Sequence, residues 1–187
     1  MDRLETDYDE LLFAVRRSVR YHRHRERFLD RVHHFGVLVT AFLGSATVVT
    51  LLAQLPTGWT WLRLLAGSLT ALASVTELVF GPARAARRHE SLAVGFLFLE
   101  KDCLRAASSL TPESLVELQS RRLDIEAAEP PVYRVLDAIC HDELVIALGR
   151  DPAQRTNVTR WQRLWRHFFD VGAHKLEKTV DIRARAR

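Results

Sequence analysis

The sequence predicts an all-α protein: an integral-membrane helical hairpin of two transmembrane helices, with a long N-terminal helix before it and a C-terminal cytoplasmic helical bundle after it. Three observations predict this. Two long apolar runs stand back to back between Phe35 and Gly81, joined by Leu55-Pro56-Thr57-Gly58. Arginines crowd both outer ends of the pair. Outside the runs, apolar residues recur at steps of three and four, the spacing of one helix face, with no strand-like alternation and no repeat. The boundaries expected are 1–34 for the N-terminal basic helix, 35–81 for the hairpin, 82–170 for the cytoplasmic helices and 171–187 for a basic tail.

The N-terminal helix is read from Leu4, Tyr8, Leu11, Leu12, Val15 and Val19, one apolar stripe. The stripe pauses through the basic residues 20–27 and resumes at Phe28, Leu29 and Val32. No Pro or Gly interrupts residues 3–35, so one unbroken helix is expected to lead into the first apolar run.

That run, residues 35–55, holds 21 residues and no charge. At about 1.5 Å per residue it spans about 31 Å, close to the hydrocarbon thickness of a bilayer. The competing reading is a buried hairpin of a soluble bundle, which rarely needs so long an uncharged stretch. The second run, residues 59–81, is of similar length but carries Arg63 and Glu77. Trp59 and Trp61 flank the turn, where indoles favour the headgroup region. Arg16, Arg17, Arg20, Arg23, Arg25, Arg27 and Arg31 precede the hairpin; Arg84, Arg87 and Arg88 follow it; the turn has no Lys or Arg. The positive-inside rule then places both termini in the cytoplasm and the turn on the outer side. The first 34 residues contain seven acids and lack a signal-peptide pattern, so no processing is expected.

Beyond the hairpin, Pro82 marks a bend at the membrane edge. Residues 83–108 follow as an amphipathic helix with Leu92, Phe96, Leu99, Cys103 and Ala106 on one face. Thr111-Pro112-Glu113 starts the next helix, with Thr as N-cap and Pro in the first turn. Glu129-Pro130-Pro131 stops it. A further helix carries Val132, Val135, Leu136 and Ile139 inward and ends near Gly149. Thr159-Arg160-Trp161-Gln162 fits a capping box for a last helix. Its Trp161, Leu164, Trp165, Phe168 and Phe169 share one face, with arginines around the other. That pattern suits either a helix lying in the membrane interface or one that closes the bundle.

The second apolar run has sides. Arg63, Gly67, Thr70, Ser74, Glu77 and Gly81 follow steps of four and three, so they fall in one narrow arc, which Arg84 and Arg88 extend. A charge facing lipid costs about 2.5–3.5 kcal/mol on the milder scales, so Glu77 is expected to face protein or water. Either several copies line a water-filled path with this stripe, or the small residues pack the two helices of one hairpin. Thr40, Gly44 and Thr47 offer a smaller matching surface on the first helix. One hairpin has too little wall for a pore, so the first alternative requires a homo-oligomer.

Chemistry is otherwise sparse. No phosphate loop, nucleophile elbow or zinc-protease motif occurs, and no enzyme activity, cofactor or metal is expected. His141-Asp142-Glu143 and His89-Glu90 are adjacent residues that point apart on a helix. The pI near 9.5 fits nucleic acid, yet the arginines cluster beside the hairpin, so the lipid bilayer with its anionic headgroups is the simpler partner. Cys103 and Cys140 read as buried free thiols.

With these residues in view, the chain resembles the SLATT family, two-transmembrane effector domains associated with bacterial nucleotidyltransferase and SLOG sensor systems. The resemblance is carried by Arg16-Arg17, Arg20-Tyr21-His22-Arg23 and Arg25, by the hairpin, and by Glu77-Leu78-Val79-Phe80 with Ala86-Arg87-Arg88-His89 and Leu92-Ala93. Its most specific part runs from Arg122-Leu123-Asp124-Ile125-Glu126 through Glu129-Pro130-Pro131-Val132-Tyr133-Arg134 to Cys140-His141. It covers roughly residues 10–170. The resemblance implies a membrane effector of a bacterial conflict (antiviral defence) system that oligomerises and perforates the inner membrane on a signal. No fused sensor is expected, so the trigger is expected to be a separate sensor protein, a bound nucleotide, or absent. The family offers no catalytic residues to carry over. The Pro-Pro corner is expected to hold Tyr133 and Arg134 for packing or for a ligand.

Overall fold

The computed structural model describes residues 3–170 and residue 176. The tail expected over 171–187 therefore lies, apart from Leu176, outside the described residues. Among the described residues the protein is all-α, with seven α-helices and no strand. They are α1 (Arg3–Leu43), α2 (Ala46–Ala53), α3 (Thr60–Phe80), α4 (Pro82–Ala106), α5 (Pro112–Glu126), α6 (Arg134–Ala147) and α7 (Arg160–Trp165). The chain divides into two compact units, one of Met1–His24 with Glu90–Arg187, the other of Arg25–His89. The division falls within α1 and within α4.

The first unit is built on the stripes expected from sequence. Tyr8, Leu11 and Val15 of α1 are buried with Phe96, Leu99 and Cys103 of α4 and Leu115 and Leu118 of α5. Tyr21 joins Leu136 and Cys140 of α6 in a second cluster, and Val135, Ile139 and Val158 form a third. The α1 stripe does not pause at residue 20 as expected. Tyr21 and His22 are buried, because the inward face continues as polar aromatic residues with partners. The His22 ring stacks on Phe96 at 5.6 Å, and its Nε2 lies 2.9 Å from the Glu129 carboxylate. A buried polar ring is tolerated only with such a partner.

Other members of the basic run are engaged in the same unit. The Arg16 Nε donates to Glu100 at 2.7 Å, Arg17 pairs with Asp137 at 3.1 Å, and His24 with Glu143 at 3.0 Å. Burial pushes the Asp137 carboxyl above its ordinary range, with Arg17 opposing the shift.

Helix ends follow the capping signals closely. Thr111 Oγ1 accepts the Ser114 N–H, and Ser114 Oγ accepts the Thr111 N–H in return. Pro112 fills the first position of α5, where no N–H partner is needed. α6 closes with Gly149 at φ +62°, where a side chain would be strained, and the Arg150 N–H bonds back to the Val145 carbonyl. Two expectations fail here. Val132 is 42 % exposed, because α6 begins only at Arg134 and Val132 lies in the link before it. α7 is six residues long and ends at Trp165, short of Phe168 and Phe169. The Asp170 carboxylate accepts the Val135 N–H at the start of α6, which turns the chain before the helix can extend.

Neighbouring phenylalanines test this core. Phe96→Ala is expected to cost about 3–5 kcal/mol, because Phe96 is fully buried. Phe98→Ala, at a side chain 60 % exposed, is expected to stay within about 0.5 kcal/mol. Denaturant unfolding of both variants measures the difference.

Burial also raises the thiol pKa of Cys103 and of Cys140, so both stay protonated at neutral pH. Iodoacetamide is expected to leave both unmodified in the native protein and to label both after denaturation, as read by mass spectrometry.

Candidate functional site

The unit of Arg25–His89 holds the two apolar runs. Their helices differ from expectation in one respect that shapes everything else: residues 35–55 are not one helix. α1 stops at Leu43, and α2 leaves at an angle of 56°. The Gly44 N–H still reaches the Thr40 carbonyl at 2.9 Å. Ser45 then turns the chain. Its Oγ donates to the Phe42 carbonyl at 2.9 Å and accepts from the Val48 N–H, which caps α2. Gly44 is required by contact rather than by φ, since a Cβ there would sit 2.6 Å from the Thr40 carbonyl oxygen.

At the far end of α2 the Gln54 N–H reaches the Thr50 and Leu51 carbonyls and the Leu55 N–H the Leu52 carbonyl. Arg63 of α3 adds charged donors there. Its Nε donates to the Leu52 carbonyl at 2.9 Å and its Nη2 to the Leu55 carbonyl. Of the two readings of the stripe, lining a path or packing within one hairpin, the Arg63 contacts match the second: its guanidinium closes the α2 end.

At the other end of α3, Gly81 has φ +52° and its N–H bonds to the Glu77 carbonyl, a left-handed helix stop. Pro82 then opens α4. Gly81 is thus a terminator and not a member of the helical arc. Arg84, Arg87 and Arg88 are exposed on α4, and Arg84 lines a groove with Ser74 and Glu77.

Between these ends the expected stripe is partly used inside the hairpin. Glu77 Oε2 lies 3.0 Å from Nδ1 of His33 on α1. Thr70 and Ser74 donate back to the Ala66 and Thr70 carbonyls of their own helix, at 2.9 and 3.0 Å. Gly67 packs against nothing, for an added Cβ would meet no atom within 4 Å. The small residue there is not what lets α1 and α3 approach.

Between α1 and α3 runs an open groove of about 650 Å³, lined by Gly36 and Thr40 on one side, Ser74, Glu77 and Leu78 on the other, and Arg84. It joins Thr40, Ser74, Glu77 and Arg84, four polar residues singled out from sequence. His33, the partner of Glu77, was not among the candidates. The available signal was that Glu77 sits near one end of its run, so its partner had to come from the matching end of the first run, where His33 stands.

The aromatics expected at a membrane interface are exposed: Trp59 49 %, Trp61 58 %, Trp161 59 % and Phe168 50 %, with Trp165 half-buried. The Pro-Pro corner is used for packing. The Tyr133 N–H donates to Tyr21 Oη at 3.0 Å and its ring packs on the Tyr21 cluster, while Arg134 is exposed at the start of α6. Asp142, next to His141, accepts the Thr156 N–H at 2.8 Å, a structural role. Among the described residues no group of three or more His, Cys, Asp or Glu is placed to hold a metal.

No protein-family model, curated protein or solved structure matches the chain. The SLATT resemblance rests on the residues quoted for it.

Gly44→Ala tests the break. It is expected to change the α1–α2 angle, because the clash is with backbone. On a Cys103→Ser, Cys140→Ser background, spin labels at the exposed Leu38 and Val49 should show a shifted distance distribution. An unchanged distribution would mean that glycine is not what sets the bend.

Proposed function

We propose that the chain is an integral inner-membrane protein with both termini in the cytoplasm, and that copies of its hairpin assemble into a pore that permeabilises the membrane on a signal. The observation that carries the membrane part is the exposure of α3. The segment Thr57–Phe80 is long and apolar enough to cross a bilayer, yet only 6 % of its most apolar stretch is buried. Leu64 is 68 % exposed, Leu72 64 %, Leu78 86 % and Phe80 74 %. Each such side chain left in water forgoes about 1.5–3 kcal/mol, which lipid contact returns. The bent pair α1 and α2 makes the second crossing, because a helix break at membrane depth is tolerated where it has partners; Ser45 provides them at the break, and Arg63 caps the far end of α2.

The pore part is supported by the groove and by the resemblance. Glu77, Ser74 and Thr40 put a carboxylate and two hydroxyls on a wall that a single hairpin leaves open. A ring of copies would close that wall into a path lined by one carboxylate per subunit. The SLATT resemblance supplies the setting, a bacterial conflict system with a separate sensor protein or a nucleotide as trigger. The role is non-enzymatic, with no cofactor.

A second reading has its own support. Glu77 is paired with His33, Arg63 with the α2 carbonyls, and both hydroxyls are bonded to their own helix. A hairpin so satisfied would serve as a non-conducting anchor whose cytoplasmic helices bind a partner.

Reconstituted full-length protein separates the two. The pore reading expects a closed ring by particle imaging and voltage-dependent current in planar bilayers. Glu77→Gln is expected to lower cation conductance about tenfold, the low end of what focused charge contributes, and Ser74→Leu to lower it by obstruction. A monomer, or conductance unchanged in both variants, would overturn the pore and favour the anchor.

A further inference from the structure

We infer that α7 and the turn after it form a second membrane contact, a ledge that docks onto the headgroup region of an anionic bilayer. The segment has two unlike sides. One side is anchored: Val158 is buried with Val135 and Ile139 of α6, and Gln162 is buried beneath the capping box. The other side carries rings. Trp161, Trp165, Phe168 and Phe169 contact one another in sequence at centroid distances of 5.7 to 6.4 Å. Leu164 extends the patch at 65 % exposure, and Phe169 is 61 % exposed. So the anchored side presents Trp161, Leu164, Phe168 and Phe169 outward, with the Trp165 ring half-buried among them and its Nε1 buried.

Charge selects the occupant. From residue 152 to residue 169 the chain has Arg155, Arg160, Arg163 and Arg166 and no acid. Arg160 and Arg163 are exposed beside the rings. A second copy of the ledge would place arginines against arginines. An uncharged apolar partner would leave them unanswered. Anionic headgroups above an acyl boundary match both parts, with indole rings at the level they favour and arginines on phosphate. Near such a surface each arginine contributes about a fivefold gain in binding. The short helix suits this role, since a ledge needs only two turns.

This inference rests on the membrane reading for its setting but not for its chemistry. The test uses the full chain with Trp59→Phe and Trp61→Phe, which leaves Trp161 and Trp165 as the two indoles. In nanodiscs of phosphatidylglycerol and phosphatidylcholine, acyl-brominated lipid is expected to quench their emission and iodide to quench little. Arg160→Gln with Arg163→Gln is expected to lower the docked fraction markedly, about fivefold per arginine in the docking constant, and so is salt near 1 M, where the screening length falls to about 3 Å. Docking lost in pure phosphatidylcholine supports the charge argument. Emission quenched by iodide and not by bromolipid would overturn the inference, as would protection from both, which would mean that protein covers the rings. Alkaline carbonate extraction keeps the two readings apart. Release of the protein sinks the spanning hairpin alone, and the ledge is then read by flotation with anionic vesicles, lost in Trp161→Ser with Phe168→Ser.

Discussion

The hairpin depends on where the carbonyls at the end of α2 find donors. In an eight-residue helix set at 56° to its predecessor, end groups are a large share of the backbone; in α2 the Val48 and Val49 N–H groups bond to Ser45, and the Thr50, Leu51 and Leu52 carbonyls accept from Gln54 and Leu55. In an apolar setting each unpaired carbonyl costs about 1–3 kcal/mol. A lone arginine there would itself cost about 2.5–3.5 kcal/mol. Placed together, the two liabilities offset: the Arg63 guanidinium meets the Leu52 and Leu55 carbonyls at the negative end of the α2 dipole. The 3-10 turn at Thr57–Trp59 that follows holds itself, with the Trp59 N–H on the Pro56 carbonyl and the Thr60 Oγ1 on the Thr57 carbonyl. An arginine that reads as an intruder in the second apolar run thus caps the end of the first, while the break at Gly44–Ser45 is closed by Ser45.

The other unit solves a different problem by similar means. α1 carries a basic run where its apolar stripe would be expected to lapse, and the helices that pack on it answer with acids: Glu100 from α4, Asp137 and Glu143 from α6, and Glu129 from the link before α6. Half-exposed pairs contribute little each. Their value is in register. A one-residue rotation of α1 would part four pairs and bury His22 against nothing suitable, so the pairs select one packing among several that apolar contact alone would allow.

How much of this was legible in the sequence differs by kind of signal. Local signals were readable: Thr111 with Pro112, Thr159 with Gln162, and the stripe through Tyr8, Leu11 and Val15 all mark what the structure contains. The break at Gly44–Ser45 was not readable, because apolar content averages smoothly across it and glycine is common within membrane helices. Gly81 was misplaced for a related reason. A wheel assigns every residue an angle as though the helix continued, and only φ reveals that Gly81 ends it. Pairings across elements, such as His33 with Glu77, need a fold before they can be seen.

The polar stripe of α3 therefore separates into three parts with different physics. Arg63 and Gly81 are committed to ending helices. Thr70 and Glu77 have partners within the hairpin, and a paired carboxylate near the end of an apolar run is a tolerable charge. Gly67 and Ser74 remain exposed on α3, and Gly67 meets nothing. If the hairpin were only an anchor, leucine at Gly67 would improve both helix propensity and lipid contact. In the proposed assembly, a missing side chain at that edge lets a second helix approach more closely than leucine would. The groove beside it would then be walled by the neighbour, with Glu77 already held at its mouth by His33. In that assembly, the residues that satisfy one hairpin would leave one edge open for the next.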